Sequence, residues 1–331
     1  MTRRALLLAA ALSLALVASC SKKNKGPAPA LQGLAAVPAT AEVVVVADVS
    51  RVIDAPLVQR AVDQLLARDA DLATRWQKLH DSCKLDVGQL SHITLALGPH
   101  PGPQPGTGPV LLVATGKLSE TELATCIRNM VGQGSGSVTA KEASGRTLYE
   151  AKEGNRVLFF AFSAPDTVVM GSNEAFVQEA LAAPGKKALD NPDLKRWIDL
   201  ADQKAPLWAA GRIDDRVKSS LVKVTNGQIS AGPTAMALSG DLSKGVKADM
   251  TLVMANANDA KALETFAKAQ QGLLGYAAQV KGMGKVVDAI QVSSSAETVK
   301  FHVELTVEDL NRVVSALDAG GSAAQDSTPS K

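Results

Sequence analysis

Aromatic side chains are scarce in this chain: three Trp, two Tyr and six Phe among 331 residues. Surfaces that stack bases or hold sugars are built on exposed rings, so both functions are poorly served. The apolar share of 46% is ordinary for a globular protein, which leaves Val, Leu, Ile and Ala to form the core. An excess of one charge is also missing. The 35 Lys and Arg face 33 Asp and Glu, and loss of Arg3 and Arg4 with the leader described below makes the two counts equal. A neutral chain offers no electrostatic case for nucleic acid or for an acidic membrane surface. Histidine is limited to His80, His92, His100 and His302. None stands at metal-ligand spacing from a second His or Cys; His80 and Cys83 are three apart but need at least two further ligands. No metal or cofactor is expected.

Catalytic motifs are missing too. Gly132, Gly134 and Gly136 form a glycine run, but it follows a helical pattern and precedes a strand, the reverse of a dinucleotide-binding turn. Ser220 and Lys223 match the S-x-x-K spacing of acylating enzymes without the accompanying S-D-N and K-T-G elements. There is no G-x-S-x-G elbow. Asp214-Asp215 and Glu150 with Glu153 are carboxylate pairs, but adjacent residues do not face one another on a helix. Asp214 reads more simply as a helix cap, and Asp48 with Ser50 fills the matching place earlier in the chain. No catalytic residue is assigned.

What is present begins at the N-terminus. Arg3 and Arg4 precede an apolar stretch from Ala5 to Val17, followed by small residues and Cys20. A basic start, a short apolar middle and small residues before a cleavage point make a secretory signal over 1–19. The stretch is too short for a membrane span, which needs about 20 apolar residues. The run Leu16-Val17-Ala18-Ser19-Cys20 resembles the lipobox of bacterial lipoproteins. That resemblance implies cleavage before Cys20, lipidation of its thiol and new amino group, and a mature chain held at the cell envelope. Each buried methylene contributes about 0.8 kcal/mol, and several chains anchor stably where one does not. Ser21, in place of the aspartate that retains such proteins at the inner membrane, points to the outer membrane.

Two cysteines remain. Export places Cys83 and Cys126 where disulfides persist, and a bridge between them is the favoured expectation. The alternative is also specific: Cys126 shares a helical face with Leu123, Ile127 and Met130, where a free thiol packs as a small hydrophobe.

Residues 20–38 read as the lipidated cysteine and a flexible tether, because Lys22 to Leu31 mixes Lys, Gly, Pro and Ala without apolar period. Residues 319–331 read as a disordered tail. Gly98 to Pro109 reads as a Pro/Gly loop projecting into solvent between two strands. The body between tether and tail looks duplicated, as a unit over 39–187 and a second over 188–318 that includes a bridging helix. Val43–Val46 then Asp48-Val49-Ser50-Arg51-Val52 parallels Leu207–Ala210 then Ile213-Asp214-Asp215-Arg216-Val217. A strand pair and a helix follow in each: His92–Leu97, Val110–Thr115 and a helix from Ser119, against Ala235–Ser239, Ala248–Met254 and a helix from Asn258. Chance likeness of two ββα units is the competing explanation. Ser119 with Glu122 fits a capping box, Asn191-Pro192 a cap with proline at the first helical position, and Thr306 a further cap. Lys300, His302 and Glu304 alternate with Phe301, Val303 and Leu305, the pattern of an antiparallel strand with one wet face. The expected class is α+β: two similar units, each an antiparallel sheet with helices packed on one face. The arrangement from Pro38-Ala39-Thr40-Ala41 onward resembles uncharacterised duplicated α+β envelope proteins of bacteria, a resemblance that implies no active site.

The expected role is therefore a membrane-anchored binding or scaffold module with an envelope protein as partner. A carrier of an apolar ligand, or a hydrolase with a dispersed site, are the alternatives.

Overall fold

The computed structural model describes residues 30–83, 86–100, 108–132, 136–280 and 284–312. Among these residues twelve antiparallel strands form one sheet, in the order β11-β12-β10-β9-β8-β1-β2-β3-β7-β6-β5-β4. They are β1 (Val43–Asp48), β2 (Leu90–Leu97), β3 (Val110–Gly116), β4 (Ser137–Ala143), β5 (Arg146–Glu153), β6 (Arg156–Ala164), β7 (Thr167–Gly171), β8 (Leu207–Arg212), β9 (Ala235–Asp241), β10 (Val246–Val253), β11 (Ile290–Ser295) and β12 (Thr298–Leu305). The helices are α1 (Val49–Val52), α2 (Pro56–Arg68), α3 (Ala70–Cys83), α4 (Glu120–Gly132), α5 (Glu174–Leu181), α6 (Pro192–Ile198), α7 (Asp215–Val224), α8 (Ala257–Val280) and α9 (Gly284–Asp288).

The α+β class holds, but the two units do not keep separate sheets. β1 pairs with β8, Val45 opposite Ala209, so the opening strands of the two halves form a seam. From that seam the order runs β1-β2-β3-β7-β6 one way and β8-β9-β10-β12-β11 the other. The same path is traced twice, and the antiparallel seam relates the halves by an approximate two-fold normal to the sheet. β5 and β4 extend the first half only.

Helices on one face alone do not describe the first half. Phe159, Phe160, Ala161 and Phe162 of β6 are all buried. Alternate side chains leave a strand on opposite faces, so a four-residue apolar run needs cover on both. Phe159 and Ala161 join the cluster around α5 and α6, while Phe160 and Phe162 join Leu123, Ala124 and Ile127 of α4. Phe160 also stacks on Tyr149, with ring centroids 4.8 Å apart.

The expected tether ends earlier than residue 38. Leu31, Ala36 and Val37 are buried in the main core, and 33–36 form a 3-10 turn. Ser163 Oγ donates to the Leu31 carbonyl at 2.5 Å, and Gln32 Nε2 donates to Asp166 and Thr167. Leu31, Leu34 and Val37 supply apolar anchors that the composition of the stretch obscured.

Local capping fixes several helix starts. Asn191 Oδ1 accepts from the amides of Asp193 and Leu194 ahead of Pro192. Asp214 accepts from Arg216 N at 2.7 Å. Thr306 and Asp309 satisfy each other reciprocally before a helical stretch at 307–312. Asp48 departs from the symmetry: it caps no amide and instead accepts from Ser50 Oγ at 2.6 Å.

Candidate binding surface

The strand registers line up one side chain from every strand on a single face of the sheet. Starting from the seam, Val45 lies beside Leu95, then Leu112 and Met170, then Phe160, Tyr149 and Ala140. In the other direction Val45 lies beside Ala209, Leu238, Met250, Phe301 and Val292. Tyr149 brings the row's one polar atom, and its hydroxyl donates to Glu120 at 3.0 Å. The neighbouring row on the same face holds Leu252, Met236, Gly211, Val43, Leu97 and Val110.

The opposite face is different. Its matching row is apolar at Ala237, Ala210, Val44, Ala96 and Leu111 but turns polar at Thr251, Lys300 and Ser293. Helices follow this chemistry. On that face α5, α6 and the turns at 33–36 and 188–190 cover the apolar middle, where Val44, Ala96, Leu111 and Ala210 are no more than 1% exposed. On the continuous apolar face the helices stand at the two ends. α4 packs over β5, β6 and β7. At the other end, α7 and α8 pack over β10, β11 and β12 through Leu221, Val222, Ala260 and Leu263, which meet Val292, Val299 and Met254.

Between these helix groups lies a floor formed by β10, β9, β8, β1, β2 and β3. Val43, Val45, Leu95, Leu97, Leu112, Leu207, Met236, Leu238 and Met250 are all half-buried there. Among the described residues, none of them belongs to the three packed clusters. At ~4.8 Å between strands the floor is about 24 Å wide. These side chains keep part of their surface open, and an apolar patch left on a domain surface is a candidate binding site. Its backbone groups are consumed by the sheet ladders, so what it offers is dispersion and desolvation.

Cys83 and Cys126 form a disulfide with their Cα atoms 5.2 Å apart, which joins the C-terminal end of α3 to α4. Met130 of α4 adds a sulfur contact to Cys83 at 3.8 Å. Cys20 lies outside the described residues, as do 1–19 and 319–331.

Residues with chemical potential are dispersed. Ser220 and Lys223 lie on α7, where the packed side chains are Leu221 and Val222. Gly134 falls outside the described residues, and Gly136 directly precedes β4. His80 meets Asp81 on the exposed surface of α3. His302 and Asp249, paired at 2.8 Å, lie on the polar face of β12 and β10. His100 departs from the expected solvent loop. Its Nδ1 is 3.0 Å from Glu42 and its Nε2 4.0 Å from Asp214, three-quarters buried at the seam. Arg212 adds ion pairs to Glu42 and Asp215. These groups come from the strand, loop and helix ends that meet where β1 joins β8, a meeting with no local signature in the sequence. The arrangement holds a histidine between carboxylates but brings it no hydroxyl or thiol nucleophile among the described contacts.

Two buried carboxylates are held low by their partners. Glu264 on α8 accepts from Lys268, Ser294 and Lys261, which lower its pKa to about 2. For Asp259 burial acts to raise the pKa, but bonds from the Ser230 amide and hydroxyl, the Ala231 amide and Asn256 outweigh it and hold the group below its usual range. Both serve to fasten α8. A shallow cleft of about 530 Å³ opens at the outer strands, lined by Glu120, Lys141, Glu142, Arg146 and Phe162. It is mixed in charge and open, unlike a cavity for an apolar ligand. Among the described residues no group of His, Cys, Asp and Glu could hold a metal ion, and no helix is long and apolar enough to cross a membrane. Nothing in this arrangement indicates catalysis.

No known protein family matches the chain, and no curated protein does. A solved structure does: crystal form I of TP0453, with a TM-score of 0.50, 11% sequence identity, and coverage of 87% of this chain and 98% of that one. At that identity the likeness concerns the fold alone.

Proposed function

We propose that this chain is a lipid-anchored protein of the bacterial cell envelope, at the outer membrane, that acts by binding and not by catalysis. The anchor is Cys20. The binding surface is the apolar floor at the seam, and its occupant is a protein of the envelope. The observation that carries this reading is the distribution of helices: an apolar row crosses all twelve strands, yet among the described residues the helix clusters on that face pack at its ends. Folding alone gives no reason to extend that row across an uncovered middle, because alternation could have made it polar, as it does at the ends of the opposite face.

The same floor suits an acyl chain, which makes a carrier of apolar ligands the second reading. One experiment addresses both. Full-length protein with its Cys20 lipid is recovered from solubilised membranes, alongside Cys20→Ala and Leu238→Asp variants. A partner protein enriched with the wild type and reduced at least about tenfold by Leu238→Asp supports the binding module, since a buried charge opposite an apolar surface costs several kcal/mol. A co-purifying lipid lost with the same substitution supports the carrier. Recovery of neither above the variants overturns the floor as the site. Failure of labelled palmitate to enter the wild-type product in a bacterial host overturns the anchor.

A further inference from the structure

The C-terminal half of α8 turns large apolar side chains to water. Leu273, Leu274 and Tyr276 are 68%, 59% and 78% exposed. The first half of the helix packs normally: Ala260, Leu263 and Ala267 face the cluster beneath, and Gln271 continues that stripe by donating to the Val287 and Ile290 carbonyls. At 100° per residue, Leu273 and Tyr276 lie on the far side of this stripe, where a surface helix carries polar groups. From Ala269 to Val280 the sequence has no charged residue, while Lys268 and Lys281 bracket the stretch.

We infer that this end of α8 dips into the lipid bilayer, as a second contact beside the acyl anchor. It rests on the anchored reading only for its orientation, because the leash keeps the body near the surface. Ten residues, Cys20 to Pro29, separate the lipidated site from the described chain. At up to about 3.6 Å per residue they hold the body within about 36 Å of the anchor, so the apolar phase within permanent reach is the bilayer itself. The chemistry favours lipid over protein. A protein interface carries a polar rim with hydrogen bonds, whereas here the stretch has no charged residue, the Gln271 amide is used internally, and beside the exposed Gln270 and Gln279 the large exposed side chains are two leucines and a tyrosine. Tyrosine suits the boundary between hydrocarbon and headgroups, and interfacial helices bury their apolar side roughly 5–10 Å deep with lysines near the headgroups.

The test uses the full mature chain carrying Cys20→Ala, so that acylation plays no part, with vesicles of phosphatidylcholine and phosphatidylglycerol. Flotation of the protein with the vesicles is expected, with partitioning reduced at least about tenfold by Leu273→Glu. Leu273 lies outside every packed cluster, and unchanged thermal unfolding confirms that the variant folds. In a Tyr276→Trp variant, added indole emission shifts to the blue with vesicles and is quenched by brominated lipid. No flotation, flotation insensitive to Leu273→Glu, or a tip that instead joins two copies in light scattering without binding vesicles overturns the inference. Because the acyl group is absent throughout, neither result bears on whether Cys20 is lipidated.

Discussion

At the scale of single residues, Glu264 offers the sharpest consequence. Its carboxylate is almost covered, with a side-chain exposure of 8%, and two lysines and Ser294 stabilise the charged form. A carboxyl whose folded pKa lies below its unfolded value stabilises the fold above the ordinary carboxylate range, and that contribution is lost as pH falls through the folded pKa. For Glu264 the window runs from about 4.5 down to about 2. Glu264→Gln should therefore unfold at lower temperature than wild type at pH 7, and the gap should close as pH approaches 2. Calorimetric melts across that range check it; a gap independent of pH would mean that packing and not charge fastens α8 there. Single residues were also where the sequence was least legible. The secretory signal made a bridge between Cys83 and Cys126 the expectation, but nothing announced that His100 would meet Glu42 and Asp214. Those three lie far apart in the chain, and only the seam brings them together.

At the scale of elements, α2 and α3 form an arm with little hold on the body. α2 contains no buried residue, and Leu65 and Trp76 are 55% and 40% exposed. The disulfide fastens the far end of this arm to α4. Across 43 residues of separation, the chain-entropy model gives such a bridge about 4 kcal/mol of stabilisation. Cys83→Ser should lower stability by an amount of that order in denaturant titration. It should also speed amide hydrogen exchange over 56–83 well before the sheet is affected, because weakly packed segments open locally. Equal acceleration in β1 and β8 would show that the arm is no separate unit. Helix starts at Asn191, Asp214 and Thr306 were legible because a cap is a local device. β4 was legible only as an unbounded strand after the glycine run, for the complementary reason: most of its side chains are exposed and it pairs on one side only, so its pattern carries little apolar signal.

At the scale of the whole molecule, the repeated order of strands was legible as two units, whereas their fusion was not. Val43–Val46 and Leu207–Ala210 each read as the first strand of its own sheet, and the alternation of a strand does not say which edge it will meet. The seam makes the halves mutually dependent. Residues 30–187 produced alone should associate or aggregate through the open edge of β1, whose Val43–Val46 segment has no charge or proline to discourage pairing. Co-production with 188–331 should restore a monodisperse complex in size-exclusion chromatography; a stable, monomeric first half would contradict this. The seam also bears on biosynthesis. Synthesis from the N-terminus delivers β1 about 160 residues before β8, counted from Val43 to Leu207. If the chain is exported as proposed above, the nascent first half crosses into the envelope during that interval with a naked strand edge, so a holding chaperone or rapid completion of translocation becomes a condition for reaching the finished sheet.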